Sequence, residues 1–318
     1  MAYATGVASS LDDFLSQLVS FAVTNAGFAN AGSVTSSSGS GSRTIQRISK
    51  GGVYWNFSRY TSNNGVLAAM GYSSVPAGYA LPASGATGIG IAGIQQYWTE
   101  MGTWAFTGPF VGHYFFTDGT CVHAVIEIAS GIYNHISFGS VSKYGSWVGG
   151  EYVTAGHYQI YAPGGIWEAW DSSYCTRPFN DQQSGNMTPR PSYVRVANTA
   201  ATADFGLVYG TQLNSNGMFC GISDAYSLYG RLLRDTPNET TGRTPLLPGL
   251  VRLRDGVTGL YSLGGYIPHV TFMKMSQDMN PKDIINTDWQ IFPITMRTGG
   301  NTTQAAPSYE YALAYRRI

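Results

Sequence analysis

Residues 113–158, HYFFTDGTCVHAVIEIASGIYNHISFGSVSKYGSWVGGEYVTAGHY, constrain the fold more than any other stretch of the chain. Aromatic and β-branched residues fill three runs, and the dipeptides Asp118-Gly119 and Ser130-Gly131 separate them. A glycine-containing dipeptide between two runs of β-formers marks a hairpin, because such tight turns need positive φ. The stretch is therefore predicted to be a three-stranded antiparallel meander. Setting Thr117 opposite Thr120 and Ala129 opposite Ile132 defines the register. Side chains alternate between the two faces of a strand, so this register sorts every residue. Val122, Ala124, Ile126 and Ile128 then share a face with His113, Phe115, Tyr133 and His135. Cys121, His123, Val125 and Glu127 share the other with Tyr114, Phe116, Asn134, Ile136 and Phe138. Both faces are largely apolar, so the sheet requires cover on both sides.

Composition agrees with a β-rich, turn-rich chain. Charged residues are 11% of the sequence, against about 25% in ordinary globular proteins, while Gly (40) and Tyr (22) are abundant. The 18 basic and 18 acidic residues cancel, leaving the surface without the net charge that keeps a free protein soluble. That balance suits a subunit whose faces are covered by neighbours. Fourteen of the basic residues are Arg, the cation favoured at interfaces. No basic stripe points to nucleic acid, and no apolar run approaches the roughly 20 residues of a membrane span. The start of the chain lacks the pattern of a secretory signal. Three cysteines, Cys121, Cys175 and Cys220, have neither metal spacing nor an even count, so a disulfide framework is not expected.

Around the meander, SSLDDFLSQLVSFAV (9–23) places Leu11, Phe14, Leu15, Leu18, Val19 and Ala22 on one helical stripe. Ser9 or Ser10 can cap that helix, and Asp12 and Asp13 suit its positive end. TSSSGSGS (35–42) reads as a flexible connector or loop tip. Gly51-Gly52 between TIQRIS and VYWNFSR marks a hairpin, and a helix followed by a hairpin places the helix across a sheet face. Residues 61–112, punctuated by Gly and Pro, read as short strands and long loops, a candidate variable insertion. Residues 231–256 carry Pro237, Pro245 and Pro248 and read as a basic interaction loop. Strands are expected in FGLVYG (205–210), in IPHVTFMKM (267–275), and around Trp289–Met296. The fold class that follows is α+β and β-dominated: antiparallel sheets with one N-terminal amphipathic helix packed on a sheet face, in a single structural domain over 1–318.

Chemistry is tested first at the histidines, four of which (His113, His123, His135, His157) lie in the meander. His123 and Glu127 are on one face but roughly 13 Å apart along a strand, too far for one ion. The register above separates His123 from His113 and His135, and a shared metal site would need that register to be off by one. Ser137 or Ser146 beside a His, and Cys121 beside His123, lack a third catalytic member. Glu168 and Asp171, flanked by Trp167 and Trp170, have the composition of a glycan-cleaving pair but no spacing that requires it. The Gly-rich stretches 84–93 and 297–303 match no nucleotide-binding pattern. Arg254-Asp255-Gly256 marks a turn. No catalytic, cofactor or metal residues are assigned.

Three groups of residues resemble a family of tailed-bacteriophage virion structural proteins. They are Ala4-Thr5-Gly6-Val7-Ala8 with the following helix and the GGVYWNFSRY hairpin, the central HAVIEIASGIYNHISFGSVSKYGSWVGGEYVTAGHY, and Trp289–Pro293 with Ala314–Arg317 near the end. The resemblance covers the two ends and the middle, and leaves 61–112 and 175–260 unanchored. It implies a tail, tail-tip or baseplate component, made in the host cytoplasm and located in the virion. It also implies a symmetric homo-oligomer in contact with other tail or baseplate proteins, and carries over no catalytic residues. A tail-tip protein that binds or cleaves host-surface glycan is the alternative. Trp147, His157, Tyr158, Trp167 and Trp170 are the expected packing or interface positions.

Overall fold

A computed structural model describes residues 1–38, 41–60, 65–71, 89–91, 94–101, 108–156, 192–196, 217–220, 244–254, 261–276, 278–294 and 311–317. The first part of the chain forms β1 (Ala2–Gly6), α1 (Leu11–Asn25), β2 (Ala29–Ser38), β3 (Gly41–Lys50), β4 (Val53–Tyr60), β5 (Gly65–Gly71), β6 (Ile89–Ile91) and β7 (Ile94–Met101). The meander and its continuation form β8 (Gly112–Thr117), β9 (Cys121–Ala129), β10 (Ile132–Ser140), β11 (Ser142–Lys143), β12 (Gly149–Gly156) and β13 (Ser192–Val196). The remainder forms β14 (Gly217–Cys220), β15 (Leu247–Arg254), β16 (Tyr261–Lys274), β17 (Ile284–Ile285), β18 (Trp289–Pro293) and β19 (Tyr311–Arg316).

These strands make three antiparallel sheets. The central sheet runs β1-β8-β9-β10-β12-β13, with the meander in its middle. A second runs β14-β15-β16-β19-β18-β17, with β11 also pairing β16, and a third runs β2-β3-β4-β5-β7-β6. The chain is thus β-dominated with a single described helix near its N-terminus, as its composition and periodicity predict.

Helix α1 begins where expected. Ser10 is its N-cap, its Oγ accepting from Asp13 N at 3.2 Å, and the Asp13 carboxylate accepts in turn from Ser9 N at 2.8 Å. That backbone bond, with further ones from Gln17 and the Ser9 hydroxyl, holds the Asp13 carboxyl below its usual range. All six residues of the predicted stripe are buried, with Phe21 in addition. They pack with Phe115, Val122, Ala124, Ile126, Ile136 and Phe138 of the central sheet and with Ile48, Trp55 and Phe57 of the third. Each large side chain so buried contributes about 1.5–3 kcal/mol. Beyond the helix, Lys50 Nζ donates to Ala26 O at 2.8 Å and to Gly119 O while lying 5.1 Å over the Phe28 ring. One cation therefore ties the helix end, the β3–β4 hairpin and the β8–β9 turn together. The hairpin turn is Gly51-Gly52, with φ of +59° and +81°.

The opposite face of the central sheet is covered by the second sheet. Phe116, Val125, Tyr133 and Tyr152 meet Val251, Val270, Phe272, Phe292, Leu313 and Tyr315 in one apolar cluster. Cover on both faces is what the two apolar faces of the meander demand.

Three expectations need correction. Residues 35–38 and 41–42 are paired strand, Thr35 opposite Thr44 and Ser38 opposite Gly41, not a connector. Ser and Thr satisfy a strand backbone as readily as a loop, so composition alone misleads there. The short strands expected within 61–112 are present as β5, β6 and β7, and β5 pairs β4 and β7 within the third sheet. Within 231–256, β15 is an inner strand between β14 and β16, and the residues before 244 lie outside those described. Pro248 is tolerated there because the register shifts between Pro248 and Gly249.

The third correction concerns the meander register. β8 pairs β9 with Thr117 opposite Val122, two residues from the expected pairing. Asp118 Oδ1 accepts from Thr120 N at 2.7 Å and Cys121 N at 3.1 Å, so the turn widens to hold both amides. A slip of two preserves the faces. Between β9 and β10, Ala129 sits opposite Ile132 as expected, but a bulge follows and Tyr133 sits opposite Glu127. The bulge places one extra residue on β9, so every later side chain of β10 changes face. Asn134, Ile136 and Phe138 turn toward the helix, and Tyr133, His135 and Ser137 join Cys121, His123 and Glu127. The Glu127 carboxylate stabilises this arrangement, accepting from Gly131 N at 3.1 Å and Tyr133 OH at 3.3 Å.

Candidate functional site

The bulge assembles a polar seam between the central and second sheets. His123 is fully buried; its Nε2 lies 2.8 Å from Pro268 O and its Nδ1 2.7 Å from Ser137 Oγ. A carbonyl only accepts, so Nε2 carries the proton and Nδ1 accepts from the Ser137 hydroxyl. Ser137 Oγ then accepts from Tyr152 OH at 2.7 Å. The proton order is therefore Tyr152 to Ser137 to His123 to Pro268. His135 repeats the scheme: Nε2 donates to Pro293 O at 3.2 Å and Nδ1 accepts from Tyr315 OH at 2.9 Å. Tyr315 stands beside both imidazoles, its ring centroid 5.2 Å from that of His123 and 5.9 Å from that of His135.

Burial governs the charge state of this seam. Desolvation pushes both imidazoles down to about 4, against the opposing pull of their carbonyl acceptors, so both are neutral at physiological pH. It also pushes the Cys121 thiol and the Tyr152 and Tyr315 phenols well up. At the edge of the seam burial opposes ionisation of Asp118, but bonds from His269, Thr120 and Cys121 outweigh it and hold its carboxyl well below the usual range. His269 Nε2 lies 3.3 Å from its Oδ2. Farther along, Lys282 Nζ reaches the buried Glu127 carboxylate at 3.2 Å.

The bulge brings about the off-by-one register that a shared histidine site requires, and yet the ring nitrogens of His123 and His135 are all engaged by neighbours within the fold. Among the described residues no three His, Cys, Asp or Glu side chains are grouped to hold a metal ion. Ser137 and His123 do meet, but the pair is buried and the far nitrogen faces a backbone carbonyl, not a carboxylate. Cys121 Sγ lies 3.5 Å from His123 Nε2, and its thiol is held protonated by burial. What this seam does chemically is fasten two sheets. A parallel fastening on the other face is Trp55 Nε1 donating to Tyr152 O at 3.0 Å.

Of the five positions singled out from the sequence, Trp147 is described. It is half-buried, donates from Nε1 to Gly264 O at 2.7 Å, and carries Lys143 Nζ 5.4 Å from its ring centroid. Beside it the chain exposes a ledge of Tyr144 (50%), Val148 (61%), Leu263 (52%) and Tyr266 (37%), with the two Tyr rings 5.8 Å apart. His157, Tyr158, Trp167 and Trp170 lie outside the described residues, as do Glu168 and Asp171. Tyr315, Tyr152, Lys282 and His269 were not anticipated as partners of the seam. Their contacts join residues up to 180 positions apart, as His135 and Tyr315 are, and no local pattern reports such pairs. Ser137 with His123 was within reach, since a β9–β10 hairpin with one bulge sets them opposite each other.

No protein-family model matches the sequence, and no curated protein matches it.

Proposed function

We propose that the protein is a structural subunit of a tailed-phage virion, assembling as a symmetric oligomer in the tail or baseplate. The observation that carries this reading is the exposed apolar ledge of Tyr144, Val148, Leu263 and Tyr266 beside Trp147. Large apolar side chains grouped at the surface favour contact with another protein. Two further features support it. The nucleophilic and titratable groups of the central seam are spent on holding sheets together, so this part of the molecule serves stability. The low charge of the chain and the likeness of its two ends and middle to virion structural proteins point the same way.

The test is to label intact virions with antibody raised against the purified protein, and to measure the mass of the protein in solution by sedimentation. A defined oligomer and label at the tail or baseplate are the expected results. A protein that stays monomeric and is absent from purified virions overturns the proposal. Hydrolysis of host polysaccharide, lost on Glu168→Gln or Asp171→Asn, would establish the glycan-cleaving alternative in its place.

A further inference from the structure

The three sheets have six end strands among the described residues, and five are short. β1 and β13 have five residues each, β14 four, β6 three and β17 two. Short end strands are one way proteins avoid unwanted pairing at sheet edges. The sixth end strand, β2, has ten residues. It pairs β3 on one side and no described strand on the other. Two further protective devices, charge and proline, are absent from its sequence. From Ala29 to Ser42 the sequence contains no charged residue and no proline. A bulge lies at its base, where the register shifts between Asn30 and Ser33 and Gly32 takes φ +77°. From Ser33 to Ser38 the pairing with β3 is regular, and Ser33 and Thr35 are exposed. From Gly41 to Thr44 β3 pairs β2 but no described residue of β4, so the outer end of this six-stranded sheet is two strands wide, and a pair of strands by itself is marginal in water. The outward N–H and C=O groups of this edge have no described strand partner, and they match another extended strand.

We propose that this edge is taken by a second copy of the same chain: the Ser33–Ser38 segments of two molecules pair antiparallel about a two-fold axis, joining their β2–β3 sheets into one. The inference rests on the oligomeric reading above and names its surface. The partner strand must itself be long, uncharged and free along one side. Among the described residues β2 meets those requirements, and a two-fold axis makes one patch serve both molecules. With Thr35 on the axis, Thr35 meets Thr35 of the second copy, Ser33 meets Ser37 and Val34 meets Ser36, so no like charges oppose one another.

The test uses the full-length protein and three variants. Ser33→Lys combined with Thr35→Lys puts like charges at the paired edge, at positions exposed in the single chain. Its circular dichroism and thermal midpoint are expected to match the parent, while its mass by sedimentation falls to half. Thr44→Lys, one strand inward, is expected to leave the mass unchanged. Thr35→Cys, in a background with Cys175 and Cys220 replaced by Ser, should form a disulfide-linked dimer on mild oxidation, and Ala29→Cys should not. A parent oligomer whose mass survives the double Lys substitution, with no cross-link at position 35, refutes the docking edge and leaves the assembly reading standing. Aggregates without a defined mass refute the two-fold pairing. A parent that is monomeric at every concentration refutes both.

Discussion

Neutral, fully buried His123 and His135 make the joint between the central and second sheets sensitive to acid. Their pKa falls from 6.5 in the unfolded chain to about 4 in the folded one. The unfolded state therefore binds more protons than the native state between those values, and stability rises with pH across that window. The contribution is complete above pH 6.5 and disappears as pH falls toward 4. Each pKa unit is worth about 1.4 kcal/mol, so each histidine removes about 3 kcal/mol over the window, and the two together about 6. His113, lowered by burial beside Phe115 despite the nearby Asp13, acts in the same direction. The assay is urea unfolding followed by tryptophan fluorescence from pH 7.5 to 4.5, with proton uptake on unfolding measured at pH 5. His123 and His135 together are expected to take up about two protons, since each is almost wholly protonated when unfolded and almost wholly neutral when folded, and His113 adds to this. In His135→Gln the amide can still donate to Pro293 O and accept from Tyr315, and the loss of stability on acidification should fall by about half. An unfolding free energy that stays flat from pH 7.5 to 4.5, or a variant with the parent's full pH slope, refutes the reasoning.

Three other outcomes follow from the packing. Ser10→Ala removes the α1 cap and should cost about 1 kcal/mol by thermal denaturation. Gly139→Ala should be severely destabilising, by several kcal/mol, because a Cβ there would lie 2.5 Å from Cys121 Cα at a φ of +133°. Gly51→Ala, with φ +59° and nothing within 4 Å, should cost only about 1 kcal/mol; similar losses at the two sites would show that backbone conformation, not crowding by β9, sets the penalty. Lys282→Met leaves the buried Glu127 carboxylate with only its Gly131 and Tyr133 bonds and should cost about 2 kcal/mol. Adding Glu127→Gln should restore part of that loss in a double-mutant cycle measured by chemical denaturation, and a purely additive pair would mean the two side chains are not coupled.

The elements legible in the chain are those specified by short-range physics. The α1 stripe repeats every three to four residues and starts at a serine that caps it. The Gly51-Gly52 turn needs positive φ, and the two turns of the meander interrupt runs of β-formers. Apolar residues on both faces of that meander already demanded cover on both sides. What could not be read locally was which residues of β10 face which layer. A strand's alternation has period two, so a single extra residue on β9 reverses every side chain after it, and turn dipeptides alone do not announce it. That bulge is stabilised by Glu127, whose carboxylate holds Gly131 N and Tyr133 OH while Lys282, 155 positions away, supplies the counter-charge. The same reversal carried His135 from the helix side to the side of His123, where Tyr315, Pro268 and Pro293 occupy their nitrogens. The sequence thus determined the elements and the need to bury both faces of residues 113–156. The tertiary structure decided which histidines meet, because buried polar groups must find partners wherever the fold brings them.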